Sequence, residues 1–199
     1  MARQRRLLLL AAIAAVVGTI AVYVSGGSPI NGLTPAPKAN RVATLPNVGQ
    51  MAAFVIRPEP QAMPELRFQT GSGEPRTVAD WKGRVVLMNL WATWCAPCIK
   101  ELPDLARLQA ELGSSEFEVV AVSVDRTGVA GAQRFLEKTG STALALYVDP
   151  TARLANTVGA LGLPATILIG RDGREIGRLL GPAEWASDDA KALIRWALK

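Results

Sequence analysis

The chain has 199 residues, of which 49% are hydrophobic and 20% are charged, and these values are typical of a folded globular domain. It contains no His and only two Cys. This excludes Cys-His and Ser-His catalysis, His-ligated zinc or haem, and a four-thiolate metal site within one chain. The net charge is +5, of which Arg3, Arg5 and Arg6 supply three charges. No basic stripe interleaved with aromatic residues is present, so nucleic-acid binding is not expected.

Residues 1–24 are predicted to form an N-terminal membrane anchor. The three arginines precede an uncharged apolar run, residues 7–24, which reaches the lower length limit of a membrane-spanning helix. The run is longer than the apolar part of most cleavable signals, and no clear Ala-x-Ala site follows it, so we expect retention rather than cleavage. The positive-inside rule then predicts a single-pass inner-membrane protein with a cytoplasmic N-terminus and a periplasmic or otherwise extracytoplasmic domain.

Residues 25–63 are interpreted as a proline-rich tether, and residues 64–199 as the globular domain. Seven of the thirteen prolines lie between positions 25 and 64, and proline at this density opposes helix formation and favours an extended chain. An apolar island within the tether, residues 51–56, either packs on the domain or forms a short strand.

The globular part alternates predicted strands and helices. In chain order the predictions are an edge strand at 66–69, a turn at 71–75, a strand at 84–91, a helix at 96–112, a strand at 118–125, a helix at 129–139, a short strand at 143–148, a short helix at 151–158, strands at 165–169 and 175–180, and a helix at 184–198. The run at 84–91 is apolar almost throughout, which is typical of a strand buried on both faces. The alternation of strands and helices predicts parallel neighbouring strands, and the final hairpin predicts an antiparallel strand beside them. We therefore expect an α/β fold with a mixed central sheet flanked by helices.

Both cysteines lie in the motif Trp94-Cys95-Ala96-Pro97-Cys98, between a buried strand and the first turn of a helix. Free backbone N–H groups and the positive end of the helix dipole favour a thiolate at that place. We assign Cys95 as the exposed, attacking thiolate and Cys98, one turn deeper, as the resolving thiol. Pro97 suits an early helical position, where its missing N–H has no partner to lose.

The cysteine pair could have roles other than thiol–disulfide exchange. A purely structural disulfide would close a very short loop and so restrain the unfolded chain little. A zinc site lacks two ligands, and haem attachment requires His where this chain has Ile99. A two-thiolate copper(I) site is chemically allowed, because soft thiolates suit that ion.

The run from Val86 to Cys98 (VLMNLWATWCAPC) resembles the active-site strand and turn of thioredoxin-fold proteins. More narrowly, it is similar to the membrane-anchored, TlpA-like thiol–disulfide oxidoreductases of bacteria, which include the cytochrome c maturation thioredoxins. Residues 162–166 resemble that family's cis-proline loop, residues 167–180 its terminal hairpin, and residues 127–158 the extra segment that separates it from plain thioredoxin. The resemblance covers about residues 64–199 and implies a thioredoxin-like fold.

The resemblance also implies roles for residues near the cysteines. Plain thioredoxin has a buried Asp six residues before the first cysteine, where this chain has Asn89, which cannot titrate. Glu101, three residues after Cys98, matches an acid of the TlpA-like group and could raise a thiol pKa or exchange a proton with Cys98. The alternative for Glu101 is a solvated residue paired with a neighbouring Lys or Arg.

A substrate surface is implied around the cysteine turn. Pro164, expected to be cis, would face the disulfide, and the alternative is a trans proline in an ordinary loop. The backbone of Leu163 could pair with an extended substrate peptide. Trp94, next to the first cysteine, is expected to border this surface together with Ala96 and Pro97, whereas Trp91 alternates into the core.

The activity implied is reduction of client disulfides in an oxidising compartment. The clients would be apocytochrome c or copper-handling proteins of cytochrome oxidase assembly, and a membrane electron donor would regenerate the dithiol. The cysteine pair itself is the redox centre, so no further cofactor and no metal is expected. Two alternatives remain open at this point: an oxidase or isomerase on the same fold, and a non-catalytic copper(I)-binding module.

Overall fold

The structure, a computed structural model, describes residues 45–199. The strands in this part of the chain are β1 Val55–Ala62, β2 Arg67–Thr70, β3 Pro75–Thr77, β4 Val85–Trp91, β5 Phe117–Ser123, β6 Tyr147–Val148, β7 Ala165–Ile169 and β8 Arg174–Leu180. The helices are α1 Ala96–Leu112, α2 Gly128–Lys138, α3 Leu154–Thr157 and α4 Asp188–Ala197, with 3-10 turns at Gly49–Met51 and Val78–Trp81.

The strands form one mixed sheet in the order β1-β8-β7-β4-β5-β6-β2-β3. The pairs β4–β5 and β5–β6 are parallel, and the other neighbours are antiparallel. This arrangement confirms the predicted α/β class and its antiparallel hairpin.

The central strand β4 is buried along its whole length, as its apolar sequence predicts. Alternate side chains enter two separate cores, because neighbouring residues of a strand point to opposite faces. Val85, Leu87 and Trp91 pack on one face with α1 and α4, whereas Val86 and Leu90 pack on the other. The strand is thereby fixed from both sides, and its C-terminal end is a rigid support for the cysteine turn.

The predicted boundary between tether and domain at residue 64 is wrong. Strand β1 pairs with β8, with Val55 opposite Arg178, and Met51 and Phe54 are buried in the main core. The apolar island therefore does both things considered for it, since it packs on the domain and leads into a strand. Pro58 and Pro60 are tolerated in β1 because this strand lies at the edge of the sheet, where one side of the strand has no partner to bond.

Other element boundaries also differ from the sequence predictions. Strand β2 is not an edge strand, because it lies between β6 and β3. The edge is formed by β3, which begins inside the predicted turn at 71–75. The last helix begins at Asp188 rather than at 184, since the Ser187 side chain accepts a hydrogen bond from the Ala190 N–H and caps it there.

The predicted anchor, residues 1–24, and the first part of the predicted tether lie outside the described residues. Within residues 45–199, no helix combines the length and the apolar character needed to cross a bilayer.

Candidate active site

The two cysteines lie at the junction of β4 and α1 and form a disulfide, with an S–S distance of 2.00 Å. Cys95 is the N-cap of α1, and its Sγ accepts a hydrogen bond from the Cys98 N–H at 3.3 Å. Pro97 occupies the first turn, as predicted. Cys98 is fully buried and Cys95 is 5% exposed. Cys95 is thus the more accessible of the two residues, although it is less exposed in this disulfide form than the sequence suggested.

The loop that carries Trp94 is held by a carboxylate that lies just after β5. Asp125 Oδ2 accepts hydrogen bonds from the Thr93 N–H at 3.0 Å and from the Thr93 hydroxyl, and Oδ1 accepts one from the Thr127 N–H at 2.9 Å. Burial raises the pKa of Asp125, but these hydrogen bonds outweigh it and the pKa is lowered overall. The sequence analysis missed Asp125. The available signal was its place just after β5, since parallel strands end at the same edge of a sheet.

The cis-proline loop lies at the same edge as the cysteines. Ala165 pairs with Leu90, which sets Pro164 level with the end of β4, and the Leu163–Pro164 peptide bond is cis, as predicted. Pro164 is buried and Leu163 is half-buried. Trp94 is 70% exposed, whereas Trp91 is fully buried, so the two tryptophans point as the strand alternation predicted.

Glu101 is not the solvated helix residue that was considered as an alternative. Its side chain is 3% exposed, and in residues 45–199 it pairs with no Lys or Arg. Three N–H groups serve it instead: Asn89 Nδ2 donates to Oε1 at 2.7 Å, and the Ala183 N–H and Trp185 Nε1 donate to Oε2 at 3.2 and 3.3 Å. Cys98, one helical turn before Glu101, lies on the same buried side of α1.

Burial raises the pKa of Glu101 from 4.5 to about 7, because desolvation of the carboxylate exceeds the effect of the three hydrogen bonds, and the negative charge of Asp104 adds to the rise. Glu101 is one of the residues that line a surface cavity of about 400 Å³. Its walls are Gln50, Pro97, Lys100, Asp104, Pro182, Ala183 and Glu184. The carboxyl group is thus titratable near neutral pH, and Glu101 forms part of the wall of a cavity that is open to solvent.

Asn89 links Glu101 to the cis-proline strand. Its Nδ2 uses both hydrogens, one to Glu101 and one to Thr166 Oγ1 at 2.9 Å on β7, whereas its Oδ1 is buried without a hydrogen-bond partner in the described part of the chain. An amide therefore serves as a donor where plain thioredoxin has an acid. The hydrogen bond from Trp185 to Glu101 joins residues 84 positions apart, which no local sequence signal indicates.

These features define a disulfide-bonded cysteine pair on a thioredoxin-like scaffold, and comparison with known proteins agrees with that fold. The Redoxin family model matches residues 58–194, so the chain belongs to the Redoxin family. The thiol-disulfide oxidoreductase ResA of Bacillus anthracis is 30% identical over 55% of this chain and 62% of its own length. The thiol:disulfide interchange protein HelX of Rhodobacter capsulatus is 35% identical over 60% of this chain and 66% of its own length. The matched region thus spans less than two thirds of the length of each of these two relatives.

Solved structures support the same fold. A thiol:disulfide interchange protein of the thioredoxin family from Chlorobium tepidum superposes with a TM-score of 0.58 at 25% identity, covering 72% of this chain and 99% of its own. A DsbF homologue from Corynebacterium diphtheriae gives a TM-score of 0.59 at 27% identity, covering 72% and 92%. The resemblance to TlpA-like thiol–disulfide oxidoreductases inferred from the sequence is confirmed.

Proposed function

We propose that the chain is a membrane-tethered thiol–disulfide oxidoreductase that reduces disulfides of client proteins during cytochrome c or cytochrome oxidase assembly. The observation that carries the proposal is the Cys95–Cys98 disulfide at the start of α1, at the same sheet edge as a cis proline. The match to two thiol–disulfide exchange proteins, ResA and HelX, supports the reaction class.

The proposed reaction starts from the dithiol. The Cys95 thiolate attacks a client disulfide, forms a mixed disulfide and releases one client thiolate. The Cys98 thiolate then attacks Cys95 Sγ, which releases the second client thiolate and forms the Cys95–Cys98 disulfide. Two electrons pass to the client, and a membrane electron donor restores the dithiol.

Glu101 is proposed to handle the proton of Cys98. The thiol must lose its proton before it can resolve the mixed disulfide, and a carboxyl with a pKa near 7 is matched to that exchange. The cavity beside Glu101 provides the contact with solvent through which that proton can leave. Asn89 and Trp185 hold the carboxylate in place and are positioning residues.

The substrate surface is proposed to comprise Trp94, Ala96, Pro97, Leu163 and the buried Pro164. Trp94 and Ala96 are exposed beside the disulfide. In the described part of the chain, the Leu163 N–H and C=O make no hydrogen bond to another backbone group. They are therefore free to pair with an extended client segment.

The location proposed is the inner membrane, with residues 7–24 as the anchor, the N-terminus in the cytoplasm and the redox domain on the extracytoplasmic side. Protease added to spheroplasts should then digest the domain. Protection from protease in intact spheroplasts, with digestion only after lysis, would overturn this orientation.

The reduction potential of the full chain, equilibrated with glutathione and followed by thiol labelling, tests the direction of electron flow. We expect a value near or below about −220 mV, typical of thioredoxin and glutaredoxins, whereas about −120 mV would mark an oxidant.

Cys95→Ser should abolish client reduction, and Cys98→Ser should accumulate a mixed disulfide. Full activity of Cys95→Ser would contradict the mechanism, and stoichiometric copper(I) binding without disulfide reduction would favour the metal-binding alternative.

A further inference from the structure

A second buried carboxylate, that of Asp125, lies beside the cysteine turn, and the reaction described above makes no use of its charge. Asp125 is 5% exposed, and within residues 45–199 it forms no ion pair with a Lys or Arg. Its hydrogen bonds come from uncharged donors of Thr93 and Thr127. Because these bonds lower its pKa, Asp125 stays negative at every pH at which a thiol ionises.

A tight turn brings this carboxylate close to the first cysteine. The Cys95 N–H donates to the Ala92 carbonyl at 3.1 Å, which closes a four-residue turn whose end Cα atoms lie within about 7 Å of each other. Thr93 is the second residue of that turn, and its N–H donates to Asp125 Oδ2 at 3.0 Å. The charge of Asp125 therefore lies within about 10 Å of the Cys95 backbone.

A fixed negative charge at this distance opposes a thiolate on Cys95. The start of α1 acts in the other direction, because the helix dipole and the Cys98 N–H, 3.3 Å from Cys95 Sγ, both favour the thiolate. Two like charges about 10 Å apart near a protein surface repel each other strongly enough to shift an ionisation equilibrium about tenfold. The disulfide carries no charge, so this repulsion acts on the reduced form alone.

The other charged groups on the segments around the cysteine turn differ from Asp125, because each is exposed, is paired with an opposite charge, or can lose its charge near neutral pH. They are Arg126 after β5, Lys100, Glu101 and Asp104 on α1, Glu184 after β8, and the Arg178–Glu175 pair that reaches the Val158 carbonyl before β7. Asp125 is thus a permanent and uncompensated charge beside the reactive sulfur.

We propose that Asp125 is a positioning residue that makes the Cys95–Cys98 dithiol a stronger reductant, because its fixed charge destabilises the Cys95 thiolate and leaves the neutral disulfide unaffected. A less stable reduced form gives up its electrons more readily, whereas stabilisation of the reduced form makes such a pair an oxidant. This inference rests on the proposed reductase function and names a residue that determines its direction.

The first test follows the ionisation of Cys95 in the full chain in lipid nanodiscs. Cys98→Ser is present throughout, so that Cys95 is the only thiol, and its rate of alkylation by iodoacetamide from pH 5 to pH 10 gives the titration midpoint. Asp125→Asn removes the charge but keeps an oxygen that accepts from Thr93, and it should lower the midpoint by about one pH unit. Thr93→Val removes the hydroxyl donor but keeps the charge, and it should leave the midpoint unchanged.

Asp149 provides a matched control. It is 1% exposed, and its carboxylate also receives the N–H and the hydroxyl of a single threonine, Thr151, together with one further N–H, that of Leu154. It follows β6, which is one strand further from β4 than β5 is. Asp149→Asn should therefore disturb a similar loop but shift the Cys95 midpoint less than half as much as Asp125→Asn, because repulsion weakens with distance.

The second test is equilibration of the chain with glutathione at pH 9, with both cysteines present. Cys95 and Cys98 form one S–S bond, and their two electrons and two protons convert one glutathione disulfide into two thiols, which are counted by labelling. The equilibrium constant for this oxidation should be about tenfold lower in Asp125→Asn than in the parent, which corresponds to a reduction potential about 30 mV higher.

An unchanged midpoint or an unchanged equilibrium constant in Asp125→Asn would overturn the role of Asp125. An equal shift in Thr93→Val or Asp149→Asn would also overturn it, because the effect would then come from the loop and not from the charge. If Asp125→Asn does not fold, Asp125→Ser removes the same charge and takes its place in both tests. A parent potential near about −120 mV would contradict the reductase function, while the midpoints would still measure the effect of the charge.

Discussion

Two buried glutamates of this domain have opposite electrostatic surroundings. Glu101 and Glu175 are 3% and 2% exposed. Glu101 receives three N–H groups without formal charge, whereas Glu175 on β8 contacts two guanidinium groups, with Oε1 at 2.8 Å from Arg57 Nε and 2.6 Å from Arg178 Nε. Burial raises the pKa of both carboxyls, but at Glu175 the arginines outweigh it and the pKa falls, while at Glu101 it reaches about 7.

Burial alone therefore does not determine what a carboxyl group does. The Glu175 cluster ties β1 to β8 through Arg57 and joins β8 to the end of α3, because Arg178 Nη1 also donates to the Val158 carbonyl at 2.8 Å. The Glu175 carboxylate keeps its charge and links these elements structurally. Glu101, one helical turn after Cys98 and in the wall of a cavity, can gain or lose a proton near neutral pH.

Glu101→Gln should produce the largest change. Because the pKa of Glu101 is raised in the folded state, the native chain binds more protons than the unfolded chain between about pH 4.5 and 7, and the free energy of unfolding falls as pH rises through that window. Gln cannot titrate. Between pH 4 and pH 8 the free energy of unfolding of the variant should therefore rise by about 3 kcal/mol relative to that of the parent. Urea unfolding of the disulfide form at a series of pH values measures this difference.

The same variant should also slow client reduction, by roughly tenfold to a hundredfold at pH 7, if the carboxyl handles the Cys98 proton. The variant should remain folded, because the unpartnered Asn89 Oδ1 can accept from the new amide after a rotation of the Asn89 side chain. Parallel stability curves for Glu101→Gln and the parent across this pH range would contradict the raised pKa.

Glu175→Gln should lower the free energy of unfolding by about 2 kcal/mol, since it leaves two guanidinium groups without their carboxylate. The arginine side chains are partly exposed, which limits the loss. Between pH 5 and 8 the loss should be constant, because the lowered pKa of Glu175 places its titration below that range. A loss that grew or shrank across pH 5–8 would mean that Glu175 titrates as Glu101 does.

Asn89→Ala should raise the pKa of Glu101 further, by about one unit, because the hydrogen bond that it removes favours the ionised carboxylate. The midpoint of the pH dependence of client reduction reports this shift. Thr166→Val is the matched control, since it removes the other partner of Asn89 Nδ2 and leaves the bond to Glu101. Equal midpoints in Asn89→Ala and the parent would show that Asn89 does not tune this carboxyl.

The elements nearest the disulfide could be predicted because each leaves a local pattern. Helix α1 begins and ends where the sequence predicts, between the Cys95 cap and Gly113, and β4 and β7 are apolar runs of strand length. Strand β1 was missed because Pro58 and Pro60 are typical of a tether, and only its position at the edge of the sheet makes them acceptable.

The site was predictable as far as short-range spacing reaches. Cys95 and Cys98 follow from their motif, whereas the cis Pro164 and the acid at Glu101 follow from the resemblance to the TlpA-like family. Its burial was not predictable, since it depends on Trp185 and Ala183 from the chain beyond β8 and on Asn89 from β4. Contacts between residues 12 and 84 positions apart are set by packing, which no local pattern records.

The most direct measurement is a titration of the glutamate carboxyl groups by ¹³C NMR in the disulfide form of the full chain, with Glu101→Gln and Glu175→Gln used to assign the two signals. The expected result is that the signal lost in Glu101→Gln titrates near pH 7, while the signal lost in Glu175→Gln titrates below 4.5. A Glu101 signal that titrates at its ordinary value of about 4.5 would contradict the assignment of this carboxyl as the proton-exchanging group beside Cys98.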